Sequence, residues 1–255
     1  MSALEIALIA FAGIFGGVLL GMFLRSLLPE HHVSEDSRDV MKLGTGMIAT
    51  MAALILSLLI SSAKGTFDAV NNGLRQASAK IVLLDRTLAR YGPETKEARD
   101  ILRRSVAATI ERIWPTKRSM EVAKAAKESG GFEELNQELQ RLSARNEEQR
   151  RLQLRSLEII GEISETRLLI MEHVGQSSFP MPLLVLLVCW FTIIFLSFGL
   201  LSSPNTTVFV VLFICALSAA SALLLLLELD QPFGGLIRIS SAPLKDALAH
   251  LGQQI

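Results

Sequence analysis

From Val174 to Leu227 the chain carries no Lys, Arg, Asp or Glu. Crossing about 30 Å of hydrocarbon takes roughly 20 apolar residues at about 1.5 Å each, so this run is too long for one span. It divides at Ser202-Ser203-Pro204-Asn205-Thr206-Thr207, a turn-rich hexamer, into spans over Pro182–Leu201 and Val208–Leu227. Ile6–Leu24 and Leu43–Ala63 are also uncharged and supply two further spans. Backbone in lipid must satisfy its own hydrogen bonds, and no segment alternates with period two, so all four are expected to be helices. The first lacks a basic leader and its apolar run exceeds the roughly 7–15 residues of a signal-peptide core, so it reads as a retained helix.

The charges lie elsewhere. Of 50 charged residues, 37 fall between Lys64 and Gly175, and the formal net charge is zero. This distribution excludes a simple soluble enzyme, a disordered chain and a strongly basic nucleic-acid binder. It describes an all-α integral membrane protein in four parts: spans one and two in 1–63, a polar helical domain in 64–175, spans three and four in 176–229, and a C-terminal segment in 230–255. Four spans put both termini and the polar domain on one side. Most basic residues lie there, against Arg25, Arg38 and Lys42 on the other, which favours cytoplasmic termini.

Within the polar domain, apolar residues recur at helical spacing. Leu74, Ile81, Leu84 and Leu88 form one stripe, and Leu102, Val106, Ile110 and Ile113 a second. Leu135, Leu139 and Leu142 begin a third, resumed by Leu157, Ile160, Leu168 and Met171. Breaks at Gly92-Pro93, Trp114-Pro115 and Gly130-Gly131 predict one helix over Glu94–Trp114 and one long helix from Phe132 to about Val174. Gly161 is its one weak point. Leu43–Tyr91, interrupted only by Gly65, reads as a single helix of roughly 70 Å. Asn146 and Gln149 fall where the third stripe should continue, marking either a solvated face or a polar layer in an oligomeric core.

No catalytic constellation is present: no nucleophile elbow, phosphate-cradling loop or paired His with a general base, and no cofactor is implied. His31 and His32, near Glu35 and Asp36, are of a type that binds divalent metals, but they read more simply as a solvated loop with Ser34 or Ser37 as helix cap. Cys189 and Cys215 sit in apolar runs and read as small hydrophobes. Gly13, Gly17 and Gly21 share one face of the first span, with Gly16 beside them, a spacing that lets another helix approach closely. Ser218–Ala222 gives the fourth span a similar small surface.

The second span carries most of the functional signal. At about 100° per residue, Gly46, Thr50, Ser57, Ser61, Lys64 and Asp68 fall within roughly 40° of Thr50, joined by Leu43, Met47 and Leu54. Ile48, Ala52, Ile55 and Leu59 lie opposite. A hydroxyl stripe running the depth of a helix, with Lys64 and Asp68 at its mouth, suits contact with hydrated ions. Back-bonding of Ser and Thr to their own helix, packed against a neighbour, is the plainer alternative. One helix cannot enclose a pore, so conduction requires symmetric assembly.

Three stretches carry a resemblance: KLGTGMIATMAAL at 42–54, SLLISSAKGTFDAVNNGLRQASAKIVLLDRTLARYG at 57–92, and ELDQPFGGLIRIS at 228–240. Together they resemble the bacterial bestrophin-like family over nearly the whole chain. Asp230, Pro232, Phe233 and Gly234 are similar to the Pro-Phe-Gly element of true bestrophins, which are four-span pentameric channels lined by the second span. The resemblance implies a homo-oligomeric, pentameric ion channel lined by Thr50, Leu54, Ser57 and Ser61, with Lys64 and Asp68 at the inner mouth. Glu228, Asp230 and Phe233 would then cap the fourth span or touch a neighbouring subunit. Gly234-Gly235-Leu236-Ile237-Arg238 replaces the acidic run of calcium-gated bestrophins, so calcium gating is not implied. Expected partners are lipid, permeant ions and further copies of the chain, not nucleic acid. The competing expectation is a non-conducting scaffold whose polar domain binds a cytoplasmic protein.

Overall fold

A computed structural model describes residues 2–27, 35–115, 131–175, 181–202 and 205–252. Every regular element among them is helical: α1 (Ala3–Leu27), α2 (Glu35–Tyr91), a 3₁₀ turn (Pro93–Thr95), α3 (Lys96–Ile113), α4 (Gly131–Arg141), α5 (Glu147–Gly175), α6 (Met181–Leu201), α7 (Thr206–Leu229) and α8 (Ala242–His250). Four of these, α1, α2, α6 and α7, are long and apolar enough to cross a membrane. The expected spans lie inside them; α1 runs three residues past its span at each end and α7 two, while α2 continues far beyond its span to Tyr91.

Contacts divide the chain into two units, Met1–Phe67 with Ser177–Ile237, and Asp68–Gln176 with Arg238–Ile255. Helix α2 contributes to both. In the first unit, α1 packs on α6 and α7 around Ile14, Val18, Leu187, Ile194, Leu223 and Leu226, with Ala52, Leu59 and Ala63 of α2 in the same core. The α1–α6 crossing is close because both helices bring glycines to it. A β-carbon on Gly17 would stand 2.8 Å from the Thr192 carbonyl oxygen. One on Gly21 would strike the Leu196 carbonyl, and one on Gly199 the Val18 carbonyl. Gly13 sits looser, 4.0 Å from Thr192 Oγ1, and Gly16 meets nothing within 4 Å. Phe11 and Phe15 stack on each other and meet Phe209 and Phe213 of α7 edge-on at 5.3–5.6 Å, adding attraction beyond burial. Arg25 donates to the Leu201 carbonyl at 2.7 Å, where a cation suits the C-terminal end of α6. On α7, Ala216 and Ala220 are buried, while Ser218 and Ser221 stay exposed.

The second unit buries the first two expected stripes: Leu74, Ile81, Leu84 and Leu88 of α2, and Leu102, Val106 and Ile110 of α3. Between those helices the chain reverses at Gly92, whose φ of 134° is accessible to glycine and strained for other residues. Thr95 closes the turn by donating to the Leu88 carbonyl at 2.6 Å. The segment expected as one helix from Glu94 thus opens with a 3₁₀ turn, and α3 proper starts at Lys96.

The long helix expected from Phe132 to Val174 is two helices. Asn146 Oδ1 accepts the Gln149 N–H at 2.8 Å, Gln149 Oε1 accepts the Arg145 N–H at 2.8 Å, and α5 starts there. Gln153 Nε2 donates to the Leu139 and Leu142 carbonyls at 2.8 Å, closing the end of α4. Asn146 therefore caps α5 while Gln149 reaches back to the Arg145 N–H, which neither expected reading of those residues anticipated. The break also rephases the third stripe. Ser156, Ile159, Ile160 and Ile163 are buried, whereas Leu168 and Met171 are exposed. Gly161 and Gly65 lie inside unbroken helix. Helix α2 starts at Glu35, eight residues before the expected Leu43, so Ser37 falls within its range. Ser34, His31 and His32 lie outside the described residues.

Candidate functional site

Helix α2 buries one face and leaves the other open. Ala52, Leu59 and Ala63 are buried, and Ile48 and Ile55 half-buried, on the side opposite the hydroxyls. Leu43, Met47, Thr50, Leu54, Ser57, Ser61 and Lys64 are all exposed, and Asp68 is half-buried. Small and branched apolar side chains pack against α1, α6 and α7, so burial orients the helix and the hydroxyls are carried outward. Thr50 Oγ1 donates to the Gly46 carbonyl at 2.9 Å, which satisfies its proton within the helix and leaves its oxygen free to accept. The result is a surface that can accept hydrogen bonds or solvate a cation through oxygen, with exposed Leu54 as the apolar residue between Thr50 and Ser57.

The end of α7 is built around Glu228, which is 5% exposed. An acid in the last turn of a helix faces the negative end of the dipole and needs donors. They come from the chain that follows: Ile237 N–H at 3.1 Å and Leu236 N–H in a shorter contact with the same oxygen. Two turns make this return possible. Gln231 N–H donates to the Glu228 carbonyl at 3.2 Å, and Gly234 N–H to the Gln231 carbonyl at 3.1 Å. Gly235 then takes a φ of 67°, and a β-carbon there would collide with the Glu228 carboxylate. Asp230 is the C-cap residue of α7, Pro232 is buried and Phe233 half-buried. Glu228 thus secures the loop after the span rather than capping its own helix. Gly235, absent from the expected site, takes the positive φ that the turn requires, whereas Gly234 does not. A glycine pair following an acid was the available signal.

In the second unit the C-terminal segment is fastened at both ends. Trp114 Nε1 donates to the Ile239 carbonyl at 2.9 Å, and Gly252 N–H to Asp85 Oδ2 at 3.2 Å. Asp85 is buried and held by Arg99 through both oxygens, at 2.7 and 3.1 Å. That hydrogen bonding raises the Arg99 guanidinium above its ordinary value. Among the described residues no cluster of three His, Cys, Asp or Glu could hold a metal ion. Cys189 and Cys215 are free thiols on exposed helix faces.

Beside these four apolar helices stands one family-level comparison: the bestrophin-like domain matches residues 12–244. The chain belongs to the bestrophin-like family. No curated protein and no solved structure matches it. As a bestrophin-like membrane protein it has two features to explain, the uncovered face of α2 and the Glu228 loop.

Proposed function

We propose that this bestrophin-like chain assembles into a symmetric homo-oligomer, a pentamer by analogy with bestrophins, and conducts ions through a pore walled by α2 from each copy. The observation that carries this reading is the orientation of α2, whose Thr50, Ser57 and Ser61 remain uncovered while Ala52, Leu59 and Ala63 are buried. Gathering several such faces about an axis gives the hydroxyls water to meet. Thr50, Leu54, Ser57 and Ser61 line the conduit, with Lys64 and Asp68 at its inner mouth. Glu228, Asp230, Pro232, Phe233 and Gly234 shape the loop that follows the fourth span. The protein sits in the bacterial inner membrane with both termini and the second unit cytoplasmic. No catalytic step is assigned.

A non-conducting scaffold has one observation in its favour: Leu154 and Leu168 are exposed on α5, outside the apolar spans, where a cytoplasmic protein could cover them. Purified protein in planar bilayers separates the two. Ionic currents that disappear with Ser57→Trp plus Ser61→Trp support the channel. Silent bilayers with a stoichiometric co-purifying protein support the scaffold.

A further inference from the structure

Helix α1 packs against both α6 and α7, while those two helices meet each other only sparsely. Toward the ends joined by the 202–207 loop, the space between them is a groove of about 350 Å³. That lies near the lower end of the range of small-molecule sites, about 300–1,000 Å³. Phe198 and Leu201 of α6 form one wall, and Val208 and Val211 of α7 the other. Phe198 and Val211 are exposed, so the groove opens to the outside of the helix bundle. Its polar side chains are the hydroxyls of Ser202 and Thr207.

A cation stands at the same end of this unit. Arg25, half-buried at the close of α1, donates from Nη1 to the Leu201 carbonyl at 2.7 Å and to that of Leu200 at 3.5 Å. Leu201 thus both holds the guanidinium and lines the groove. A guanidinium has five N–H donors, and the carbonyls occupy only one of its nitrogens. Among the described residues, no carboxylate lies within 4.0 Å of Arg25. A cation at the end of a membrane span turns its free donors toward the headgroup layer.

We infer that the α6–α7 groove holds an acyl chain of an anionic phospholipid, whose phosphate is bound by Arg25 with the Ser202 and Thr207 hydroxyls. The groove lies between two apolar spans, so hydrocarbon is the medium its walls match. A water-soluble anion would leave those walls uncovered. A zwitterionic lipid would bring its own cation beside the guanidinium. Arginine presents paired donors in the geometry of phosphate oxygens, and basic pockets between membrane helices take anionic headgroups on this principle. None of these residues lies on α2, so the inference stands or falls apart from conduction.

Native mass spectrometry of the full chain in neutral detergent tests it, with phosphatidylglycerol and phosphatidylcholine of identical oleoyl chains as probes. Wild type is expected to retain phosphatidylglycerol roughly fivefold more tightly, the effect of one basic side chain near anionic lipid. Arg25→Gln is expected to bring the ratio close to one, and Arg25→Lys to keep most of it. Val211→Trp fills the groove from an exposed position and is expected to lower retention of both lipids. Glycerol 3-phosphate, which has the phosphate without the chains, is expected not to compete. Arg104→Gln, which removes an exposed charge from α3, is expected to change nothing. Equal affinities in wild type or a preference that survives Arg25→Gln would overturn the inference. So would competition by glycerol 3-phosphate, or retention indifferent to Val211→Trp, as when a second copy of the chain covers the groove. If Arg25→Gln does not fold, the wild-type ratio is followed as ammonium acetate is raised. It is then expected to fall with screening, and a ratio that salt leaves unchanged would count against the charge.

Discussion

The Glu228 carboxylate occupies the space that a β-carbon on residue 235 would need, and it accepts the next two backbone N–H groups, of Leu236 and Ile237. A buried acid at a helix end is thereby paired, and the chain leaving the fourth span is given its direction.

Gly235→Ala meets both a positive φ and that carboxylate. Strain of this kind costs of order 1–3 kcal/mol. Glu228→Ala leaves two part-buried N–H groups without their acceptor, at about 1–3 kcal/mol each when water cannot replace it. Both variants are expected to unfold at lower temperature in detergent, with Glu228→Gln retaining part of the loss because one amide oxygen still accepts. Melting followed by tryptophan fluorescence reads this directly, since Trp190 lies on α6.

Glycines of α1 are not equivalent. Gly21→Val pushes a side chain into the α6 backbone and is expected to abolish the folded, monodisperse species on size-exclusion chromatography. Gly16→Ala meets nothing and is expected to stay within about 0.5 kcal/mol of wild type. Gly199→Val on α6 should resemble Gly21→Val, because both sit at the same crossing.

Arg99→Met strands the buried Asp85 carboxylate and is expected to destabilise by about 3 kcal/mol. Adding Asp85→Asn should recover much of the loss. The contact from Gly252 N–H predicts a local signature as well: limited proteolysis of Arg99→Met is expected to release the C-terminal segment earlier than in wild type.

Asn146→Ala removes the cap of α5 and is expected to cost about 1 kcal/mol. Helix content by circular dichroism should fall by little, since the rest of α5 is held by Ile159, Ile160 and Ile163.

The spans were legible because length without charge is a one-dimensional property: 54 uncharged residues cannot form one helix in a bilayer and divide at the turn-rich hexamer 202–207. The buried face of α2 was equally legible, since Ala52, Ile55 and Leu59 recur at helical spacing against the hydroxyls. Asn146-x-x-Gln149 was not read as a helix start because charges surround it and the apolar stripe on either side keeps nearly the same period. Gly199 and Gly235 escaped notice for a different reason. Their constraint is set by partners, the Val18 carbonyl and the Glu228 carboxylate, that become neighbours only in the fold.

Thiol accessibility on α2 tests the central claim most directly. In a background with Cys189→Ala and Cys215→Ala, a single cysteine is placed at Ser57 or at Leu59, and bilayer currents are recorded while a charged methanethiosulfonate reagent is added. Rapid, irreversible loss of current is expected for Ser57→Cys and none for Leu59→Cys. Currents indifferent to modification at Ser57, or blocked equally from Leu59, would contradict a water-filled conduit along the Thr50–Ser61 face.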